Sequence, residues 1–451
     1  MPSFLDKDSL LPVRPEKSDI CFGKADKLYN RLDPGALSGL TGGGKRGIIG
    51  AESRREAAWG AFPDGGRGKS NPPQRGRREE KMTNRERMRR ILHEEPADRL
   101  PAVHFGYWPE LLQEWAEQGE ISGELARAWN DGNEADFELD KRIGLDFNWQ
   151  TMASGDISLR PPFEEKVLEV LPDGFKRVQN ALGLIERVRE GAGSIPAEDD
   201  WLLKDRAAFE ELYRPRMQYD ANRVDAEALR ARRAACADRP LGLHLGSVLG
   251  DIRSMLSVVG MSYLMYDDPE LFAEIVDTYA EMQFRCAEDA LASGVDFDFA
   301  HYWEDICFKN GPLIAPDLFE EVCARHYKKR NELCRKHGID LISLDCDGVI
   351  ARLVPTWFEN GVNVMFPLEV GVWGDQFAAF RETYGPRLKG VGGFDKTCLR
   401  KDRAAVDAEL ERMKALVSLG GFLPCPDHRL MPGSRFDLVC YYAEQIKKMK
   451  I

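Results

Sequence analysis

Polar side chains follow apolar, strand-like runs at five places between residues 301 and 429. Four of these residues, Glu304, Cys346, Glu369 and His428, offer the thiolate, imidazole and carboxylate ligands that zinc takes in proteins. A catalytic zinc keeps one position open, where it binds and polarises a substrate oxygen or sulfur. Separations of 42 residues from Glu304 to Cys346 and 82 from Cys346 to His428 exclude a local zinc finger. The residue types predict a zinc site, and a buried cysteine with a hydrogen-bonded loop histidine is the alternative.

Acidic residues near these ligands are candidates for proton transfer. Asp345 and Asp347 flank Cys346, and strand alternation directs both to the face opposite Cys346 unless the strand has already ended. Asp395 follows two glycines and precedes Lys396. A carboxylate beside a departing oxygen can carry its proton, so Asp347 and Asp395 are predicted to be catalytic. The alternatives are loop caps and a structural ion pair with Lys396.

Four further residues are predicted to bind substrate. His104 ends an early strand, Trp108 follows it, Trp303 ends a later strand, and Arg429 follows His428. The two indoles can stack on a flat substrate, and the guanidinium can hold an anion. The alternatives are core packing for the aromatic side chains and solvation for Arg429.

The elements that position these residues alternate regularly. Strand-like runs alternate with amphipathic helices in five consecutive units after residue 295, which predicts a parallel sheet covered by helices. The length favours a closed (β/α)8 TIM barrel over an open doubly wound sheet, and no GxGxxG follows a strand. Catalytic residues of such barrels lie at the carboxyl ends of the strands. The predicted strands cover residues 295–303, 339–344, 362–367, 388–393 and 421–424, and the helices that follow them cover 316–337, 350–359, 375–384, 402–418 and 436–448.

Charge divides the 451 residues into two parts. Residues 1–81 carry sixteen basic and eleven acidic residues, a net charge of +5. Residues 82–451 carry a net charge of −17, and the two parts add up to −12 for the whole chain. The first part is rich in glycine and lacks apolar periodicity, which predicts a disordered extension. Met82 resembles a natural start that leads directly into a helix, so residues 1–81 are interpreted as a mis-annotated extension, with a linker or a basic arm as alternatives.

Composition also excludes several classes of function. The acidic balance argues against a general nucleic-acid binder. No apolar run approaches the ~20 residues of a membrane span, and the first 20 residues lack a signal-peptide pattern. Ten scattered cysteines in a large chain are typical of reduced thiols in a cytoplasmic protein.

Several motifs together resemble the uroporphyrinogen decarboxylase family in its broad sense, which includes corrinoid-dependent methyltransferases. The resemblance covers the chain from about Thr83 to the C-terminus and implies a (β/α)8 barrel. The motifs that carry it are Asn84-Arg-Glu-Arg-Met, Glu304-Asp-Ile-Cys-Phe-Lys-Asn-Gly-Pro-Leu-Ile, Asp345-Cys-Asp-Gly, Phe366-Pro-Leu-Glu-Val, Gly392-Gly-Phe-Asp-Lys and Pro426-Asp-His-Arg.

Departures from the family pattern indicate the branch. The arginine pair with which true decarboxylases hold propionates is missing, since the first strand end reads Val103-His-Phe-Gly-Tyr-Trp-Pro. The methyltransferase branch holds zinc with His-x-Cys and a distant Cys. Here Cys346 matches the first cysteine, Leu344 stands in place of the histidine, and His428 falls near the distant cysteine. The related cobalamin-independent methionine synthase barrel adds a glutamate about 22 residues after its cysteine, and Glu369 lies 23 residues after Cys346.

The resemblance implies a zinc-dependent methyltransferase that moves a methyl group between a small methylated substrate, such as a methyl ether, and a corrinoid. No Asp-x-His-x-x-Gly corrinoid segment occurs in the chain, so the corrinoid is expected on a partner protein. Two alternatives remain open: uroporphyrinogen decarboxylation, and a non-catalytic barrel that binds a tetrapyrrole, a corrinoid or another small molecule.

Overall fold

The computed structural model describes residues 82–189, 196–374 and 376–450. The predicted extension, residues 1–81, and the first residue of the predicted helix 375–384 lie outside these described residues. Within the described ranges the protein is a mixed α/β structure with a mostly parallel central sheet. The strands, in chain order, are β1 (Val103–His104), β2 (Phe147–Asn148), β3 (Met152–Ala153), β4 (Lys166–Val170), β5 (Lys176–Gln179), β6 (Leu184–Val188), β7 (Ala197–Trp201), β8 (Gly242–His244), β9 (Phe299–Trp303), β10 (Cys307–Phe308), β11 (Gly311–Pro312), β12 (Ile342–Asp345), β13 (Val364–Leu368), β14 (Lys389–Phe394) and β15 (Phe422–Pro426).

The central sheet has seven strands in the order β15-β14-β13-β12-β9-β8-β3, and every neighbouring pair is parallel. All five residues of β13 and of β15 are buried, as expected for parallel strands covered on both faces. Parallel strands end at the same edge of a sheet. Residues that follow β9, β12, β13, β14 and β15 are therefore brought to one side of the molecule.

A second parallel pair, β1 and β2, lies beside this sheet. Only three residues separate β2 from β3, so residues 147–153 pair with β1 through one end and with β8 through the other. Tyr107, shortly after β1, forms an isolated parallel bridge with Leu430, shortly after β15. The N–H of Trp108 also donates to the carbonyl of Leu430, at 2.9 Å. Backbone hydrogen bonds thus join the chain after the first strand to the chain after the last.

The helices begin where the sequence supplies N-terminal signals. Thr83 and Glu86 form a reciprocal capping box at the first helix, and prolines occupy the first turn of the two longest helices. The helices are α1 (Asn84–Leu92), α2 (Pro109–Glu117), α3 (Gly123–Ala128), α4 (Glu134–Ile143), α5 (Arg206–Ala208), α6 (Ala226–Cys236), α7 (Gly250–Asp267), α8 (Pro269–Ala292), α9 (Pro316–Lys336), α10 (Val354–Glu359), α11 (Phe377–Tyr384), α12 (Arg403–Ser418) and α13 (Phe436–Ile446).

The five predicted strand–helix units are confirmed, with shifted boundaries. β9 begins at Phe299 rather than at residue 295, and α10 begins at Val354 rather than at residue 350. The second shift arises because residues 346–353 form a loop, in which Gly348 has a φ of +91° and donates its N–H to Glu369 at 2.9 Å. The polar strand ends therefore have longer loops than periodicity indicates.

An antiparallel sheet of four strands, β4-β5-β6-β7, is inserted between β3 and β8. Its first hairpin turns at residues 172–174, where the N–H of Leu171 donates to the carbonyl of Phe175 at 2.7 Å. Trp201, the last residue of β7, packs its indole directly against Gly260 of α7, where there is no room for a side chain. The insertion is thereby anchored on the helix that follows β8.

None of the helices in the described ranges is both long enough and apolar enough to cross a membrane.

Candidate active site

Carboxylates and one imidazole meet beyond the carboxyl ends of β12, β13 and β15. His428 Nε2 lies 3.2 Å from Asp347 Oδ2, and the other oxygen, Asp347 Oδ1, is buried without a hydrogen-bond partner among the described residues. Glu369 accepts the N–H of Gly348 at 2.9 Å and the indole N–H of Trp373. Three elements that are distant in sequence thus contribute one acidic cluster with a single histidine.

The acidic cluster, Asp305, Asp345, Asp347 and Glu369, is electrostatically crowded. Burial, and then the Asp347 carboxylate, raise the pKa of Glu369 to about 6. The same two causes, in the same order, raise the pKa of Asp345 well above its usual range and also raise that of Asp305. Asp345 is buried and accepts the side-chain N–H of Gln150 at 2.9 Å. Carboxylates that disfavour each other's charge are typical of sites that take up protons or a cation.

Aromatic side chains form one wall of this cluster. The Trp108 indole stacks on the His428 ring, with centroids 6.2 Å apart and planes 19° apart, and Phe105 lies 5.1 Å from the same imidazole. Trp303 is the last residue of β9, and the Arg253 guanidinium lies 5.9 Å from its ring. Arg253 also reaches Asp305 at 3.3 Å. Of the two predicted indoles, the structure brings Trp108 against the cluster histidine.

Glu304 has a different environment from the other predicted metal ligands. Its carboxylate accepts three backbone N–H bonds from residues 248–250, at 2.7 to 3.0 Å, at the start of α7. The hydroxyls of Ser247 and Tyr327 donate to it as well, at 3.2 and 2.5 Å. Burial still raises the pKa of Glu304, although these donors favour the anion. Five hydrogen bonds occupy the two oxygens, so the geometry is that of a buried helix cap.

Asp251, in the first turn of α7, gives a testable consequence of this crowding. Burial, and then the Glu304 carboxylate, raise the pKa of Asp251 from 3.8 to about 6. A raised carboxyl pKa contributes stability below pH 4 that is lost as the pH rises through 6. The native chain should therefore lose about 2 kcal/mol of unfolding free energy between pH 4 and pH 7, allowing for partial exposure of Asp251. Asp251→Asn should not show this loss. Chemical denaturation at both pH values measures this, and the exposed Asp267→Asn is the control; an equal difference at both pH values would contradict it.

The Cys346 thiol directly follows β12 and is buried beside Cys307. It is 1% exposed, and it donates to the carbonyl of Asp347 at 3.6 Å. Burial, and then contact with the Cys307 thiol, raise the pKa of Cys346 well above its usual range. In this structure the thiol is engaged with the Asp347 carbonyl and with Cys307.

Asp395 and Lys396 do not pair with each other. Asp395 accepts the N–H of Thr397 at 2.9 Å and caps the short helix Lys396–Arg400. Lys396 lies 3.4 Å from the buried Asp427. The Asp427 carboxylate also accepts backbone N–H bonds from residues 370 and 371, at 3.1 and 2.8 Å. Both aspartates hold loops at the edge of the sheet.

Arg429 and His104 both contact acidic residues of the segment between β1 and β2. Arg429 forms a two-pronged ion pair with Asp131, which includes a hydrogen bond of 3.2 Å. His104 is fully buried, and its Nε2 lies 2.8 Å from Asp140 Oδ1. His104 is therefore enclosed, whereas Arg429 remains partly exposed beside Asp131.

His104 belongs to a compact group of potential metal ligands. Of the residues that the structure describes, His104, Asp136 and Asp140 form the one group of three whose ligand atoms all lie within 4.8 Å of one another. All three are buried. An imidazole with two carboxylates is a donor set that divalent metals including zinc accept.

Sequence reasoning missed the aspartates that pair with predicted residues. Asp131 lies just before α4, and Asp136 and Asp140 lie on it. The only available signal was charge at a helical spacing, Asp136 and Asp140 being four residues apart. For Asp305 the available signal is its position directly after Glu304, at the end of a strand.

No protein-family model and no curated protein matches the chain. Among solved structures, the fold is similar to that of a methyltransferase from Methanosarcina mazei, with a TM-score of 0.52 and 14% sequence identity over 81% of this chain and 99% of that chain. A structure from Listeria monocytogenes, described as "Putative Vitamin-B12 Independent Methionine Synthase", is 16% identical over 78% of this chain and 98% of its own. Its TM-score of 0.39 is too low to indicate a shared fold. The chain thus shares the fold of a methyltransferase, and the resemblance to the uroporphyrinogen decarboxylase family remains a prediction.

Proposed function

We propose that the protein is a metal-dependent methyltransferase built on a closed (β/α)8 barrel. The barrel is supported by the pairing of residues 147–153 with both β1 and β8, and by the bridge between Tyr107 and Leu430. With these connections, eight strand positions follow one another round a ring. The cluster of Asp347, Glu369 and His428 lies beyond strand carboxyl ends, where such barrels carry their active sites.

The observation that carries the proposal is the unmatched oxygen of the cluster. Asp347 Oδ1 is buried without a hydrogen-bond partner among the described residues, beside an imidazole and other carboxylates. Buried polar atoms normally have partners, so this oxygen indicates a missing ligand. Imidazole and carboxylate donors fit zinc. We therefore assign the metal to Asp347, Glu369 and His428, and we leave out Glu304 and Cys346, whose polar atoms are engaged elsewhere.

Each part of the site has a role in the proposed reaction. When bound, zinc supplies Lewis-acid polarisation of the oxygen or sulfur that carries the methyl group. Asp345, which is buried beside Gln150, is placed to give a proton to the departing atom. Phe105 and Trp108 form an aromatic wall on one side of His428. The methyl group would pass to a corrinoid on a partner protein, because the chain itself has no corrinoid-binding segment. This transfer would take place in the cytoplasm.

The stacked indole favours a flat, aromatic methyl ether as the small methylated substrate. If Trp108 stacks on that ring as it stacks on His428, Trp108→Ala should raise KM about tenfold with little change in kcat. Trp108→Phe keeps an aromatic face and serves as the matched variant, with KM within about threefold of the native value. Steady-state kinetics at saturating methyl acceptor measure both constants. A fall in kcat with unchanged KM would contradict the substrate role.

The experiment that tests the function is methyl transfer to free cob(I)alamin. The zinc-loaded protein is mixed with candidate methyl ethers, thioethers and methylamines, and methylcobalamin is followed by its visible spectrum. Methylation that depends on both zinc and protein is the expected result. Turnover of uroporphyrinogen instead, or tight binding of a corrinoid without any turnover, would replace the proposal with one of the two alternatives.

A further inference from the structure

Two histidines and a serine form a row across three neighbouring strands of the central sheet. The strand register pairs His244 of β8 with His301 of β9, and His301 with Ser343 of β12. The two imidazole rings have centroids 6.2 Å apart. His301 is 1% exposed, whereas His244, the last residue of its strand, retains partial contact with solvent. The row therefore extends from the interior to a place that solvent reaches.

The His301 ring has one nitrogen without a partner. Its Nδ1 lies 3.1 Å from the Ser343 hydroxyl, which accepts the indole N–H of Trp149 at 3.3 Å. The hydroxyl proton is therefore available to Nδ1, which leaves the proton of the neutral ring on Nε2. This Nε2 is buried and has no hydrogen-bond partner among the described residues. Because buried donors normally have acceptors, the N–H indicates a missing one.

His244 has the same tautomer. Gly246, with a φ of +78°, donates its N–H to His244 Nδ1 at 3.2 Å. The same nitrogen is 3.3 Å from the carbonyl of His301, but that carbonyl already accepts the N–H of Leu245 at 2.8 Å. Because Nδ1 is an acceptor, the neutral ring has its proton on Nε2. The row thus offers two imidazole N–H donors.

The row lies one layer deeper in the sheet than the acidic cluster. Ser343 precedes Asp345 by two residues in β12, so both side chains are on the same face of the sheet. Phe366 connects the two layers, because its ring lies 5.8 Å from the His301 ring and 4.5 Å from the ring of Phe105 in the aromatic wall. A substrate that reacts at the cluster would extend towards this row.

The charge state of the two rings selects the kind of group that they bind. Burial lowers the pKa of His244, and it lowers that of His301 well below 6.5, so both imidazoles are neutral at pH 7. Two neutral donors do not offset the charge of a buried carboxylate, and a donor cannot accept from an ammonium group. An uncharged oxygen can accept both N–H groups without bringing a charge into the interior.

We propose that the N–H groups of His301 and His244 bind an uncharged oxygen of the substrate, such as a carbonyl, hydroxyl or ether oxygen. The inference rests on the proposed function, and it narrows the substrate to a flat methyl ether that carries a second, uncharged oxygen. The metal and Asp345 would act on the methoxy oxygen at one end, and the two imidazoles would hold the oxygen at the other.

The test measures the binding of matched probes to the full-length, zinc-loaded protein by isothermal titration calorimetry. The ketone 4-methoxyacetophenone carries an uncharged carbonyl oxygen, 4-isopropylanisole has a similar shape without that oxygen, and 4-methoxybenzoate carries a charge. Their 3-substituted isomers are measured alongside. In the native protein we expect the ketone to bind at least about tenfold more tightly than the other two probes.

Variants show whether the histidines cause this preference. His301→Phe keeps a ring of similar size but removes the donor, so it should reduce the preference for the ketone over 4-isopropylanisole to about twofold or less. His244→Phe should lower the preference as well. The exposed His337→Phe at the end of α9 is the control and should keep the native preference.

The outcomes separate this inference from the proposed function, because binding needs no methyl acceptor. If the ketone binds no more tightly than 4-isopropylanisole, or if His301→Phe keeps the native preference, a buried water alone satisfies Nε2 and the inference is overturned. If His301→Phe does not fold, His244→Phe, whose ring is partly exposed, decides by the same comparison. A histidine-dependent preference without methyl transfer to cob(I)alamin would leave this binding site standing and defeat the proposed function, and methyl transfer without the preference would do the reverse.

Discussion

Replacing His428 by alanine is expected to lower kcat for methyl transfer at least about 1000-fold and to leave the folded structure intact. His428 Nε2 lies 3.2 Å from Asp347, and the side chain is partly exposed, so its loss removes a proposed metal ligand without opening a core cavity. Loss of a metal-bound Lewis acid removes several kcal/mol of transition-state stabilisation, and each 1.36 kcal/mol is tenfold in rate. Tm should change by less than about 2 °C in the absence of zinc.

The control is His337→Ala, which removes an exposed histidine at the end of α9. It should retain full activity and full zinc content. Asp347→Asn should behave like His428→Ala in both activity and zinc content, because it weakens a ligand of the same metal. Substantial activity in His428→Ala would show that this cluster does not perform the chemistry.

Glu304→Ala is expected to cost about 3 to 5 kcal/mol of unfolding free energy, the largest effect on stability among the site residues. The change leaves three backbone N–H groups at the start of α7, and the hydroxyls of Ser247 and Tyr327, without their acceptor. All of these groups are buried, so water cannot replace the carboxylate without disrupting the packing. Urea denaturation at pH 8 and 25 °C measures the loss.

The exposed Glu332→Ala on α9 is the matched control and should change stability by less than about 0.5 kcal/mol. Metal analysis of Glu304→Ala distinguishes a helix cap from the metal ligand predicted from the sequence. A cap predicts an unstable protein that still binds zinc when folded. A stable protein that has lost zinc would restore Glu304 to the metal site.

The sequence was sufficient to predict the alternation of strands and helices after residue 295. Buried parallel strands such as β13 are continuous apolar runs, and α9 has proline in its first turn and a basic last turn, so both have clear local signals. Element boundaries were less accurate. Loop residues 346–353 are held by a hydrogen bond from Gly348 to Glu369, a tertiary contact that local periodicity does not encode.

The structure brings together Asp347, Glu369 and His428, three of the residues that the sequence places after parallel strands. This proximity can be predicted from the sequence, because polar residues after parallel strands share one edge of the sheet. Alternation separates Cys346 from Asp345 and Asp347, but the sequence cannot tell which face of β12 meets the cluster. In the structure Asp347 lies 3.2 Å from His428, and the Cys346 thiol lies beside Cys307.

For Glu304 and Asp395, the sequence does not show whether the carboxylate binds a metal or caps a helix. A carboxylate at a strand end can have either role, and the residue type alone does not distinguish them. The choice depends on which N–H groups approach: those of residues 248–250 for Glu304, and that of Thr397 for Asp395. Likewise, nothing in the sequence near His104 shows that α4 returns to place Asp140 against it.

The most direct test of the central claim is the rate of methylcobalamin formation from cob(I)alamin and an aromatic methyl ether, with zinc-loaded native protein and zinc-loaded His428→Ala side by side. The account predicts methyl transfer by the native protein and a rate at least about 1000-fold lower in the variant. Equal rates for the two proteins, or no methyl transfer by the native protein with any methyl ether, thioether or methylamine, would contradict it.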